Sequence, residues 1–97
     1  MESIEKANIV RSGAGRDKGS LFVVLAVEGE YLLLADGKRR KLDSPKRKKR
    51  RHVLFVDAQE GTRLSGKIRE NRKVTNSELR RTLAAFRQET ERAEQEG

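Results

Sequence analysis

Seven consecutive apolar residues, Leu21 to Val27 (LFVVLAV), constrain this chain more than any other segment. The run is β-branched and too short for a typical helix, so it reads as a strand. Both of its alternating faces are apolar. One face must line an interior, and the other needs a cover from elsewhere in the chain. A chain of 97 residues has room for one domain and a small core. Glycine-bearing turns bound the run, GAGRDKG at 13–19 before it and EGE at 28–30 after it.

Further strands are predicted on either side: ANIVRS at 7–12, YLLLA at 31–35, KRRKL at 38–42 and VLFV at 53–56. Asp36-Gly37 is a two-residue hairpin signal, because both residues tolerate positive φ. Asp43-Ser44-Pro45 breaks the charged strand before the basic run at 46–51. Five short strands joined by hairpins would leave exposed edges unless they closed, which predicts a small, strongly curved barrel. Beyond residue 57 the pattern turns helical. Leu64 and Ile68, four apart, predict one or two turns. Thr75 and Glu78 form a capping box, and a helix should run from 76 to the low 90s. Leu79, Leu83 and Phe86 share one of its faces, the best cover for the outer face of 21–27. The fold expected is mainly β with a C-terminal helix. It comprises a five-stranded barrel over 1–57 with a basic loop at 43–52, then a helical turn, the helix and a frayed acidic tail over 58–97.

The charge is concentrated. Residues 38–52 hold ten Lys or Arg against one Asp, a net of +9, in a chain whose formal charge is +8, so all other residues sum to −1. A focused excess attracts a polyanion, whereas a smeared one serves solubility. Six consecutive cations, Lys46 to Arg51, repel one another, which predicts a loop that is mobile until phosphates order it.

Several chemistries find no support. There is no cysteine, hence no disulfide or thiolate site. His52 is the single histidine; it adjoins the last strand within reach of RNA but builds neither a metal site nor a triad alone. No nucleophile–base pair stands out. No cofactor or metal and no enzymatic activity are expected. GAGRDKG is not a nucleotide loop, because a strand and not a helix follows it. No apolar run approaches the roughly 20 residues of a membrane span, which predicts a cytoplasmic protein without a membrane partner.

Strand, Gly15-Arg16-Asp17-Lys18-Gly19 turn and longer strand (IVRSGAGRDKGSLFVV, 9–24) resemble the KOW motif. The Asp36-Gly37 hairpin and the Pro45–Arg51 segment strengthen the likeness to the large-subunit ribosomal KOW proteins and their small bacterial relatives. Leu21 and Phe22 fall where transcription-factor KOW motifs carry a second glycine, which favours the ribosomal branch. KVTNSELRRTL at 73–83 is similar to the C-terminal part of those relatives. The resemblance implies an SH3-like barrel whose turn contacts ribosomal RNA.

The residues support that expectation independently. Gly13, Gly15 and Gly19 allow close backbone approach to a phosphate. Arg11, Arg16 and Lys18 bring charge to the turn, Ser12 flanks it, and Asp17 is placed to hold Arg16. Lys38, Arg39, Arg40, Lys41, Lys46, Arg47, Lys48, Lys49, Arg50, Arg51 and His52 would line the adjacent phosphate-binding surface. Few aromatics are free for base stacking, so shape and backbone recognition of folded RNA is expected. The predicted partner is large-subunit ribosomal RNA, with ribosomal proteins beside it, bound by a protein that is monomeric when free. Two alternatives stand: a protein-interaction module of the translation or transcription machinery, docking through the helix, and a general nucleic-acid-binding protein.

Overall fold

A computed structural model describes residues 3–96, with side chains through residue 87. Five antiparallel strands form one sheet: β1 (Ile9–Ser12), β2 (Leu21–Glu28), β3 (Tyr31–Ala35), β4 (Lys46–Lys49) and β5 (Val53–Asp57), in the order β4-β3-β2-β1-β5. A 3₁₀ turn at Arg50–His52 links β4 to β5, and two helices follow, α1 (Arg63–Arg69) and α2 (Asn76–Glu96). The strand number, four of the five strand positions and the C-terminal helix match the sequence reading; the fourth strand lies elsewhere in the chain. The sheet is open, with no ladder between its outer strands β4 and β5.

Two cores bury both faces of LFVVLAV over Leu21–Val24; Leu25 and Ala26 are half-buried and Val27 is exposed. Phe22 and Val24 pack with Ile4, Val10, Leu32, Leu34 and Val53 on the inner face. Apart from Ile4, these come from the strands themselves, so the sheet curls over its own inner face. Register shifts between Val24 and Ala26 and between Ile9 and Val10 supply bends. Leu21 and Val23 face outward and pack with Ile9, Ala35, Leu64, Ile68, Leu79 and Leu83. The helix stripe is thus the cover. Leu79 and Leu83 are fully buried, each side chain contributing about 1.5–3 kcal/mol relative to exposure. The capping box is present: the Glu78 N–H donates to Thr75 Oγ1 and the Thr75 N–H to Glu78 Oε1, both at 3.2 Å. Lys67 Nζ meets Glu78 Oε2 at 2.8 Å and ties α1 to α2. Helix α2 continues to Glu96, through the acidic segment where fraying is expected from sequence; side chains there lie outside the described residues.

The largest departure lies between residues 36 and 52. KRRKL (38–42) is not a strand, and Asp36-Gly37 is not a two-residue hairpin; they open a long connection between β3 and β4. Asp36 Oδ1 accepts the N–H groups of Lys38 and Arg40, both at 2.9 Å, and the Asp36 N–H donates to the Arg40 carbonyl. This side-chain turn curls the backbone away from a ladder. The strand forms instead from the basic run, expected as a mobile loop. Lys46–Lys49 pair with Leu34–Tyr31, and the ion pairs of Lys46 and Lys48 described below offset part of the repulsion that argued for mobility. A lysine-rich edge strand also resists pairing with another chain's edge.

Candidate nucleic-acid interface

The glycine turn is held from beneath. Ser12 is buried, and its hydroxyl lies 3.0 Å from the Ala14 carbonyl and 2.9 Å from Asp17 Oδ1. The turn N–H groups of Gly13, Lys18, Gly19 and Ser20 are bonded to the carbonyls of His52, Gly15, Ser12 and Asp17. Gly15 and Gly19 adopt φ of 88° and 91°, which is why glycine occupies both positions. A Cβ at Gly19 would meet nothing within 4 Å, so its requirement is conformational and not one of space.

Two lysines of β4 complete the turn's support. Lys46 and Lys48 pair in register with Leu34 and Leu32, so their stems lie on the inner face. Lys46 Nζ meets Asp17 Oδ2 at 2.7 Å, and Lys48 Nζ meets Asp17 Oδ1 at 2.9 Å. Lys48 also donates to the Ala14 carbonyl at 2.6 Å and is only 9% exposed. Burial by itself raises the Asp17 carboxyl pKa, but hydrogen bonds from Lys46, Lys48 and Ser12 outweigh it and hold the group well below the usual carboxylate range. Asp17 therefore pairs with β4 and not with Arg16. Ser12 and Lys48, expected to touch RNA, have their polar atoms turned into the fold, and Lys46 is only partly accessible.

The remaining predicted residues separate into two surfaces. On one, the turn meets the connection after β3. Arg16, Lys18, Lys38, Arg39 and Arg40 are all exposed there, as is Lys41. Lys18, Lys38 and Arg39 line a groove of about 660 Å³ floored by Leu21. Arg39 also borders a neighbouring hollow of about 340 Å³ lined by Arg16, Arg40 and Lys46. Arg11 lies one strand away from that floor, in register with Leu21, half-buried, with its Nε buried and unpartnered. On the other surface, alternate residues of β4 and the 3₁₀ turn point elsewhere. Arg47 stacks on the half-buried Tyr31 ring, 3.9 Å from its centroid, and lies 3.9 Å from a Glu28 oxygen. Lys49, Arg50 and Arg51 line a separate cavity of about 480 Å³ with Ile4, Glu30 and Val53. Arg50 is anchored there, donating to the Ile4 carbonyl at 3.2 Å. The exposed His52 is tied through its carbonyl to Gly13.

The far wall of the groove comes from α2, which supplies Arg80 and Arg87, neither among the residues expected from sequence. Arg80 donates to the Gly37 carbonyl at 2.7 Å and to Ser77 Oγ at 2.9 Å. Asn76 Oδ1 accepts the Leu42 N–H at 2.9 Å, so the start of α2 clamps the 36–42 connection at both ends. The signal was present in the spacing: Arg80, Leu83 and Arg87 are three and four apart, one helix face flanking the apolar stripe.

Comparison with protein-family models gives no match, and none is found among curated proteins.

Proposed function

We propose that this protein binds structured RNA through its phosphate backbone, as a ribosome-associated cytoplasmic protein with a KOW-type SH3-like barrel. The convergence of the Arg16–Lys18 turn with Lys38–Arg40 on one cationic surface carries the reading. The barrel reading is supported by antiparallel strands in near-sequential order, by a self-enclosed inner core, and by the three-residue link between the outer strands. Asp17 neutralises lysines below the turn and leaves the cations above it unpaired with it, so the carboxylate shapes the surface without cancelling it. Arginine at several positions adds forked hydrogen bonding to phosphate oxygens. Apolar stripe residues Leu79 and Leu83 are occupied by the sheet, which leaves less of that stripe for docking a protein.

The test is equilibrium binding of a structured ribosomal RNA fragment and of duplex DNA across a salt series. Neutralising 6–10 phosphates would cost about 10³–10⁵ in affinity between 50 and 200 mM salt. A steep slope with preference for RNA is the expected result. A flat salt response overturns backbone recognition, and equal affinity for the DNA duplex favours a general nucleic-acid binder.

A further inference from the structure

Building on that reading, we infer that the groove between the glycine turn and α2 is a clamp for a single unpaired phosphodiester segment of RNA, with Arg80 and Arg87 as its second jaw. Among the described residues five cations line it, Lys18, Lys38, Arg39, Arg80 and Arg87, against one carboxylate, Asp36. That carboxylate is buried, and its Oδ1 already accepts two backbone N–H groups. The net field in the groove is strongly positive. Leu21, Leu83 and Ala84 form part of its lining, and low-polarity walls strengthen the attraction between the cations and an entering anion.

The dimensions select the ligand. A space of about 660 Å³ falls within the ~300–1,000 Å³ range of clefts that enclose small ligands. A looped or bulged strand can lay a bare phosphodiester into a groove of this size, which suits it better than the broad convex face of a duplex. Arg80 and Arg87 are seven residues apart on α2, which separates their origins by about 10 Å along the helix axis. Such spacing suits two phosphates of one strand better than one isolated anion. Arg80 is also pre-oriented: its two hydrogen bonds to Gly37 and Ser77 fix the guanidinium before any ligand arrives. Less conformational freedom is then lost on binding.

The experiment compares a hairpin RNA carrying an unpaired bulge with a fully paired hairpin of equal length, titrated against the full chain, the double variant Arg80→Gln/Arg87→Gln and the single variant Arg87→Gln. The intact protein should prefer the bulged RNA by on the order of tenfold. The double variant should lose that preference, and its slope of log affinity against log salt should fall by about 1.4, since each single-strand phosphate contact contributes roughly 0.7. Arg87→Gln leaves the Arg80–Gly37 link in place and should lower the slope by about 0.7, half of that decrease, which keeps the test valid should removal of Arg80 loosen the fold. Steep, salt-dependent binding by the intact chain with no effect of either variant overturns the clamp while leaving RNA binding standing. Absence of salt-dependent RNA binding by the intact chain overturns both.

Discussion

Asp17 is the residue on which the turn depends. One carboxylate accepts from Ser12 and Lys48 at Oδ1 and forms an ion pair with Lys46 at Oδ2, linking the glycine turn to the edge strand across some thirty residues of sequence. Removing it would strand Lys48, which is 9% exposed, as an uncompensated charge. Asp17→Asn should therefore lower unfolding free energy at pH 7 by about 2–3 kcal/mol, short of the ~3–5 kcal/mol typical of fully buried pairs, because the pair keeps some solvent contact. The pH dependence has a definite sign. The folded carboxyl titrates well below its unfolded value of about 3.9, so the stabilisation is complete above that value. It fades progressively as pH falls from the unfolded value towards and through the folded one, so part of the loss is already present at pH 3. Thermal melts from pH 7 to pH 3 should show the native chain losing more stability than Asp17→Asn; parallel curves would mean that the lysines do not depend on this carboxylate.

At the scale of elements, α2 has two jobs. Leu79 and Leu83 seal the outer face of β2, and the next positions around the helix carry arginines into the groove. Both depend on how the 36–42 connection seats against the start of the helix. Gly37 has a φ of 79°, and a Cβ there would lie 2.3 Å from the Asn76 carbonyl oxygen, a backbone atom with little freedom to move. Gly19 has a comparable φ of 91° and open space around it. Gly19→Ala should thus cost only conformational strain, about 1–2 kcal/mol, while Gly37→Ala should cost clearly more and unseat Arg80. Chemical denaturation of the two variants makes the comparison; equal losses would mean that the helix contact at Gly37 adds nothing to the backbone requirement.

For the whole molecule, placement of charge matters more than its sum. The formal charge of +8 derives from residues 38–52, yet the fold divides that segment between two surfaces and an internal pair. Reversing Lys18 and Arg39 to Glu should therefore weaken RNA binding far more than reversing Arg47 and Arg51, although the change in net charge is the same. Filter binding at one salt concentration reads the difference. Equal losses would show that RNA responds to overall charge and not to the groove.

Local pattern alone determined much of this. The apolar run at 21–27 required a strand buried on both sides, and the Leu79/Leu83/Phe86 spacing identified its cover, because alternation and helical periodicity are properties of neighbouring residues. The capping box and the glycine turn were legible for the same reason. Other features depended on partners distant in sequence. Nothing local to KRKKRR says that Asp17 will pair with two of its lysines and that its first four residues will become β4, or that Asp36 will curl KRRKL out of a strand. Nor does a helix sequence reveal which flank will face a groove. Those outcomes follow from which backbone hydrogen bonds and opposite charges are brought within 3 Å of one another, and only the folded chain sets that proximity.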